Sequence, residues 1–303
     1  PLFVDIVSDL HTMLDWTRFA TTQMHQADLF FGHGTDNAWD EAVGLVSHCL
    51  SLPADLAQKT SDMLFQSRVT SFEKANIYDL LEKRIESREP LPYLTNQAWF
   101  CGLPFYTDKR VLIPRSPIAE LIQDGFSSWL TQPPQLIMDL CTGGGCIAIA
   151  MAYAFPSAQV DALDISEDAL AVANENILAH GLEERLFAIQ SDVYSSVQGQ
   201  KYDLIVANPP YVDAEDMADL PQEFLHEPAL ALAAGNDGLD IVETILRQAT
   251  QHLTPQGWLF VEVGNSLVHM EQRFPGLEVE WIEFANGGDG VFAVPFETLN
   301  AYF

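Results

Sequence analysis

The sequence predicts an α/β fold in which a largely parallel sheet, covered by helices on both faces, follows a smaller all-helical front region. Three observations predict it. Apolar side chains recur at helical spacing over roughly the first 90 residues. From about residue 116, short apolar runs alternate with helical segments. The last two runs are separated only by Asn286-Gly287-Gly288-Asp289-Gly290, a connection that fits an antiparallel hairpin.

In the front region, Phe3, Ile6, Val7, Leu10, Leu14 and Thr17 mark one helix. Trp39, Val43, Val46 and Leu50 mark another, after the capping candidates Thr35 and Asp36. Thr70 with Glu73 forms a capping box, and Phe72, Leu80, Leu81 and Ile85 supply the apolar side of the helix that follows. Pro90 and Pro92 end it. Ala98 to Tyr106, centred on Gly102 and Pro104, reads as a short hairpin, and Val111-Leu112-Ile113-Pro114 as an extended connector. The expected organisation is a helical domain over 1–95, a hairpin linker over 96–115 and the sheet domain over 116–303. Expected strands are Leu136 to Leu140, Gln159 to Asp164, Leu186 to Gln190, Tyr202 to Ala207, Trp258 to Val263, Glu278 to Phe284 and Val291 to Phe296. Helices over Cys146 to Phe155, Asp168 to His180 and Gly238 to Leu253 separate them.

With 303 residues and 48% hydrophobic content, the chain can bury a proper core. The most continuous apolar stretch, Leu136 to Phe155, is interrupted by Asp139 and three glycines, so no membrane span is expected. Asp5, Asp9 and Asp15 break the N-terminal apolar pattern, which does not read as a secretion signal; a cytoplasmic location is the expectation. Cysteines at 49, 101, 141 and 146 form no CxxC pair, and no metal site or disulfide framework is expected.

The net charge is -29. Residues 68–115 hold eight bases against six acids, whereas 116–303 hold four against 28. A surface this acidic repels a phosphate backbone, which argues against DNA as a partner, and attracts a basic protein. Solubility or a salty habitat explains the acidity equally well. The stretch 68–115 is a candidate for ribosomal RNA contact, but its interleaved acids support no more than a solvated helix face. Residues 212–230 carry Asp213, Glu215, Asp216, Asp219, Glu223 and Glu227 with no Lys or Arg, and are expected to form a loop that grips a basic protein substrate.

In Asp139-Leu140-Cys141-Thr142-Gly143-Gly144-Gly145-Cys146 an apolar strand runs into three glycines and then a helix. Such a turn lets backbone N–H groups and the helix N-terminus approach a ligand closely. Asp164 ends the next strand, where a carboxylate accepts from ribose hydroxyls. Gly143, Gly145 and Ala148 also satisfy the dinucleotide pattern, so NAD stays open. Asp139 suits the ammonium of a methionine moiety better than a pyrophosphate. Asp192 and Val193 follow the third strand, suited to an adenine amino group and to the ring face. These details favour S-adenosylmethionine.

Asn208-Pro209-Pro210-Tyr211 follows the strand Tyr202 to Ala207, at the carboxyl end of a parallel sheet where ligands bind. Consecutive prolines fix φ and remove N–H donors, leaving rigid carbonyl acceptors. With the Asn208 side-chain oxygen they suit a planar NH2 group, and Tyr211 suits packing over it. A methyl transfer to an amide or amino nitrogen is the chemistry these residues favour.

On these motifs the chain resembles the class I methyltransferases of the protein-glutamine type, a release-factor-modifying group and a ribosomal-protein-modifying group. Both share an N-terminal helical domain, a hairpin linker, a VLIPR segment like Val111 to Arg115, a Gly-rich turn and NPPY. Gly34 to Ala42, Ile113-Pro114-Arg115-Ser116-Pro117, His226-Glu227-Pro228 and Gly287 to Gly290 are similar to the ribosomal group. The resemblance implies a Rossmann-like seven-stranded sheet with an antiparallel C-terminal hairpin. It also implies methylation of one glutamine side-chain amide on the third protein of the large ribosomal subunit. Carried over by position, Cys141, Thr142, Gly143, Gly144 and Gly145 form the cofactor loop, preceded by Asp139. Asp164 is the ribose acid, Asp192 and Val193 lie beside adenine, and Asn208 to Tyr211 hold the glutamine, with Asn208 also near the cofactor. Cys141 stands where the release-factor group has glycine, and Val193 where it often has an aromatic residue.

Competing readings are a release-factor glutamine methyltransferase, an adenine amino-methyltransferase on nucleic acid, an NAD-dependent dehydrogenase and a non-catalytic ribosome-assembly factor. The adenine reading requires base flipping and a grip on flanking phosphates, which the charge disfavours.

Overall fold

The sheet-bearing unit, residues 97–220 with 227–303, opens with a hairpin of β1 (Ala98–Phe100) and β2 (Leu103–Phe105). Cys101 and Gly102 at its tip both have positive φ, the conformation a tight two-residue hairpin requires. The computed structural model describes residues 2–53, 62–212, 219–232 and 238–303. Phe100 and Phe105 are buried with Ile118, Phe126 and Ile147 in the core beneath the sheet. This packing joins the hairpin to the larger unit, where the sequence had set 96–115 apart as a linker.

The main sheet contains β3 (Leu136–Leu140), β4 (Gln159–Asp164), β5 (Leu186–Gln190), β6 (Tyr202–Ala207), β7 (Leu253–Glu262), β8 (Glu280–Trp281) and β9 (Val291–Pro295). Its order is β5-β4-β3-β6-β7-β9-β8. The first five of these strands in that order run parallel, whereas β9 is antiparallel to both β7 and β8. The chain winds outward from β3 to β5 and then returns to place β6 on the other side of β3. That reversal opens a crevice at the carboxyl ends of β3 and β6, the position where open α/β sheets bind ligands. Leu140 pairs with Ala207 there, so Cys141 and Asn208 leave adjacent strands at the same edge. Ala207 also pairs with Val261, which brings Glu262 to the same edge from the other side.

Helices Cys146–Ala154, Glu167–Ala179 and Asp240–Gln248 cover the sheet at the positions the alternation predicts. Four details differ. β7 begins at Leu253, with a register shift before Trp258 pairs with Leu204. β8 keeps only two residues at the exposed sheet edge, where Glu280 and Trp281 lack a second neighbour. Pro295 ends β9 and precedes a terminal helix, Phe296–Tyr302, so Phe296 is helical. A short helix, Ile118–Asp124, buries Ile118, Leu121 and Ile122 and closes at Gly125 in the left-handed region.

The second unit comprises the residues up to Asn96 together with Pro221–His226. Thr12 breaks the first predicted helix in two, Leu2–Asp9 and Met13–Gln26. Its hydroxyl accepts from Asp15 N, while its own N–H donates to Asp15 Oδ2 at 2.8 Å, a reciprocal cap. Helix Ala38–Cys49 is capped by Asn37, whose Oδ1 accepts from Asp40 N at 2.9 Å, rather than by Thr35 or Asp36. The Thr70–Glu73 box forms as expected ahead of helix Ser71–Ser87. That helix buries Lys74, Ile77, Leu81 and Arg84, and Phe72 is 75% exposed. The inward stripe is thus set by the 74-77-81-84 spacing, with two cations inside it.

Those cations are matched within the unit. Lys74 Nζ donates to Val7 O, and Arg84, 1% exposed, donates to Glu41 Oε1 at 2.7 Å and to Phe30 O. Glu223, fully buried in the short 3-10 turn Gln222–His226, pairs with Arg88 at 2.7 Å and accepts from Phe30 N. Phe224 packs at a tilt against Phe30 and His33 beside it. No helix among the described residues is long and apolar enough to cross a membrane.

Candidate active site

A cavity of about 340 Å³ opens at the crevice between β3 and β6. Its wall includes Cys141 to Gly144, Asp164, Ser191 to Val193, Asn208 and Pro210, together with Arg110 to Arg115. The volume suits a small organic ligand. The turn after β3 is held from three sides. Thr142 N donates to Leu163 O, Gly143 N donates to Asp164 Oδ2 at 2.9 Å, and Asn176 Nδ2 donates to Gly144 O. Gly143 has φ +54, and a Cβ placed there would meet no protein atom within 4 Å. Only a residue without a side chain leaves that space to a ligand. Gly145, in contrast, is small because of Ala173, which a Cβ would approach at 3.3 Å. Cys141 and Val193 also hold positive φ, at 59 and 48, a conformation costly for a β-branched side chain such as Val193. Cys141 therefore adopts the backbone that a glycine would take without strain.

Asp139 stands behind this turn. It is fully buried; its Oδ2 accepts from Thr142 Oγ1 at 2.6 Å and from Ala148 N at 3.1 Å, while Oδ1 is buried without a hydrogen-bond partner. Burial pushes its carboxyl up to about 7. It does not line the cavity, so its observed role is to brace the turn. Asp164 does line the cavity. Its oxygens accept backbone N–H groups of Gly143 and Ser166, with Ile165 N–H beside them, and remain acceptors on the cavity wall. Burial raises its pKa, with those N–H groups opposing the shift.

Asn208 and Pro210 face the first cavity, Pro209 is buried, and Tyr211 lines a second, more open cavity of about 530 Å³. All peptide bonds among the described residues are trans, so the tetrapeptide is extended by its prolines without a cis kink. Tyr211 is fixed at several points. Its hydroxyl donates to Glu262 Oε1 at 3.0 Å, its carbonyl accepts from Ser266 Oγ at 2.8 Å, and Gly264 packs against its ring so closely that any Cβ would overlap it. Burial pushes the phenol pKa well up, so it remains a donor. Glu262 Oε2 accepts from Ser116 Oγ at 2.5 Å. Its own carboxyl is raised to about 7 by burial, with the Ser116 and Tyr211 bonds and Arg115 opposing.

The structure thus brings all the sequence-predicted site residues to one edge of the sheet, with Asp139 and Pro209 behind the surface. Glu262, Ser116, Asn176 and the Arg110–Arg115 wall were missed. Glu262 ends a strand neighbouring β6, and strand ends at the switch point are where such residues belong. One expectation is corrected. Glu223 and Glu227 do not form a substrate grip: Glu223 is buried against Arg88, and Glu227 is buried against Arg115 at 2.8 Å and Ile113 N. Asp213, Glu215 and Asp216 lie outside the described residues, which leaves Asp219 exposed. The basic stretch fares likewise, since Lys74, Arg84, Arg88, Arg110 and Arg115 all make internal bonds. His226 Nε2 lies 3.0 Å from Ser87 O. The described residues contain no cluster of metal-ligating side chains, and the four cysteines are unbridged.

A glycine turn sharing one cavity with Asn208 and Pro210 of the NPPY strand end defines a methyltransferase-type site, and residues 126–237 match the methyltransferase small domain family model. The hMettl16 catalytic domain, solved in complex with MAT2A 3'UTR hairpin 6, has the same fold: TM-score 0.52 at 17% identity, over 83% of this chain and 92% of that one. The chain is 45% identical to the ribosomal protein uL3 glutamine methyltransferase of Francisella tularensis over 98% of its length and 94% of that protein's. It is also 45% identical to the enzyme of that name from Bordetella pertussis, over 96% of this chain and 97% of that protein. The chain belongs to the ribosomal protein uL3 glutamine methyltransferase family.

Proposed function

We propose that the chain transfers a methyl group from S-adenosylmethionine to the side-chain amide nitrogen of a glutamine in ribosomal protein uL3, in the cytoplasm. The observation that carries the reading is the pairing of Leu140 with Ala207, from which the glycine turn and, of the tetrapeptide, Asn208 and Pro210 enter the same cavity.

The residues present fit that cofactor. Gly143 leaves an open cradle, Asp164 lines the cavity with carboxylate oxygens that suit a diol, and Asp139 braces the turn from behind through Thr142. A pyrophosphate fits poorly, because Asp164 and Asp192 line the cavity while Arg110 and Arg115 are bound to Asp108 and Glu227. Asp192 and Val193 line the cavity, where Val193 would cover an adenine ring and Asp192 would accept from its amino group. When bound, S-adenosylmethionine supplies a methyl group made electrophilic by the sulfonium.

The chain's own residues prepare the nucleophile. An amide nitrogen has its lone pair delocalised into the carbonyl. Asn208 Oδ1 and the carbonyls of the tetrapeptide accept both amide protons, which orients the nitrogen and favours the pyramidal form that exists only as the bond is made. Tyr211 bounds the planar group on one side. As the C–N bond forms and the sulfonium S–CH3 bond breaks, the amide nitrogen becomes cationic, and one of its protons then passes to water, so no dedicated base is needed.

The test is incubation of the protein and labelled cofactor with uL3 from cells that lack the modification, followed by mass spectrometry. A methyl group on a glutamine side chain is expected. Asn208→Ala should abolish transfer while calorimetric cofactor affinity is kept. Label on a release factor or on adenine instead, with none on uL3, overturns the reading.

A further inference from the structure

We propose that Glu262 is a positioning residue for methyl transfer, acting by holding the Tyr211 hydroxyl and the Ser116 hydroxyl at once. The proposal rests on the function proposed above.

Glu262 is the last residue of β7, next to Val261, whose partner Ala207 immediately precedes Asn208. It is 5% exposed and spends both oxygens on hydroxyl donors, Tyr211 at 3.0 Å and Ser116 at 2.5 Å. A buried carboxylate without such partners is costly to retain, and a structural core would favour an apolar side chain here. What Glu262 connects gives the reason for it. Tyr211 ends the candidate catalytic tetrapeptide. Ser116 follows directly on Arg110–Arg115, the segment that walls the cofactor cavity, and its hydroxyl also accepts from Ile118 N at the start of helix Ile118–Asp124. One side chain therefore ties the acceptor-bearing turn to the wall of the cofactor cavity.

The tie controls a single remaining freedom. The Tyr211 backbone is pinned by Ser266 and its ring is flanked by Gly264, whereas the far end of the ring is held by Glu262 alone among the hydrogen bonds described. Gly290, which packs on Gly264, closes the same side. Without the carboxylate the ring can tilt toward the second cavity, and the surface that bounds the substrate amide loses its set position. Misplacement on the scale of 1 Å costs on the order of 100-fold in rate.

The test uses the full chain, uL3, three single variants and one double variant. Glu262→Ala should lower kcat about 100-fold while calorimetric cofactor affinity stays within about 2-fold. Glu262→Gln, which can still accept from one hydroxyl and donate to the other, should recover most of that loss. Tyr211→Phe should also lower kcat, by no more than Glu262→Ala, which removes the Ser116 bond as well, and the double variant should lose no more than Glu262→Ala, because the Tyr211–Glu262 bond is common to both. A readout without turnover comes from 3-fluorotyrosine incorporation, with the Tyr211 resonance assigned by its absence in Tyr211→Phe. Its 19F signal should be narrow in wild type and Glu262→Gln and shifted in Glu262→Ala. Unchanged kcat and an unchanged 19F signal in Glu262→Ala overturn the proposal, as do losses that multiply in the double variant. If Glu262→Ala does not fold, a wild-type kcat in Tyr211→Phe overturns it alone. Absence of transfer by the wild type, with the fluorine pattern as expected, instead overturns the proposed reaction and leaves the positioning intact.

Discussion

Thr142 donates its hydroxyl to Asp139 Oδ2 at 2.6 Å, tying the glycine turn to a carboxylate that the fold encloses completely. Burial lifts the Asp139 carboxyl from 3.8 to about 7, so the folded chain holds a proton that the unfolded chain has released. The stabilising contribution is complete below about pH 3.8 and is lost as pH rises through 7, a change on the order of 4 kcal/mol. Glu262, raised from 4.5 to about 7, acts in the same sense. The urea midpoint of the wild type should therefore fall between pH 5 and 8. Asp139→Asn, which cannot ionise, should fall less; parallel curves for the two proteins would count against this account.

Gly143→Ala separates binding from folding. With φ +54 the new methyl group costs about 1 kcal/mol of stability, and it projects into open cavity rather than into protein. The melting temperature of the free protein should drop by only a few degrees, while the Michaelis constant for the cofactor rises at least 10-fold. Equal cofactor affinity in calorimetry would show that the turn is not the cradle.

Gly264→Ala places a methyl group inside the Tyr211 ring, at a φ of +48 that already disfavours a side chain. The ring has to move. A loss of about 100-fold in kcat with cofactor affinity retained is expected from steady-state kinetics. An active Gly264→Ala would mean that the orientation of Tyr211 is not important to transfer.

Glu223→Ala should destabilise the helical unit by about 3 kcal/mol, since it leaves Arg88 without its buried partner. Phe72→Ser, at a position 75% exposed on helix Ser71–Ser87, should change stability by less than about 0.5 kcal/mol. Denaturation monitored by circular dichroism distinguishes the two.

Much of this arrangement is legible in the sequence because it is local. Strand β3, the glycine turn and its helix are consecutive, Asp164 ends a recognisable strand and Asn208 directly follows one. Thr70 and Glu73 announce their cap for the same reason. What escapes is set by pairing across the chain. Glu262 acquires its role from Tyr211, 51 residues away, and Ser116, 146 residues away. Glu223 and Glu227 read as part of a grip on a basic substrate until Arg88 and Arg115 are seen beside them. Phe72 misleads in the opposite direction, since hydrophobicity placed inside the stripe a residue that Lys74 and Arg84 displace. Asp139 was identified as a site residue, but its enclosure behind Thr142 depends on the packing of the turn.

The chain leaves the sheet-bearing unit after Leu220, contributes Pro221–His226 to the helical unit, and returns at Glu227. Glu223, the acid that neutralises Arg88, is thus encoded some 135 residues downstream of it. The front helices are consequently not a module that recombination can exchange with a single crossover. A chimaera joined at residue 96 inherits its arginines from one parent and their counter-ion from the other, so during divergence the hexapeptide and the front helices are constrained to change together.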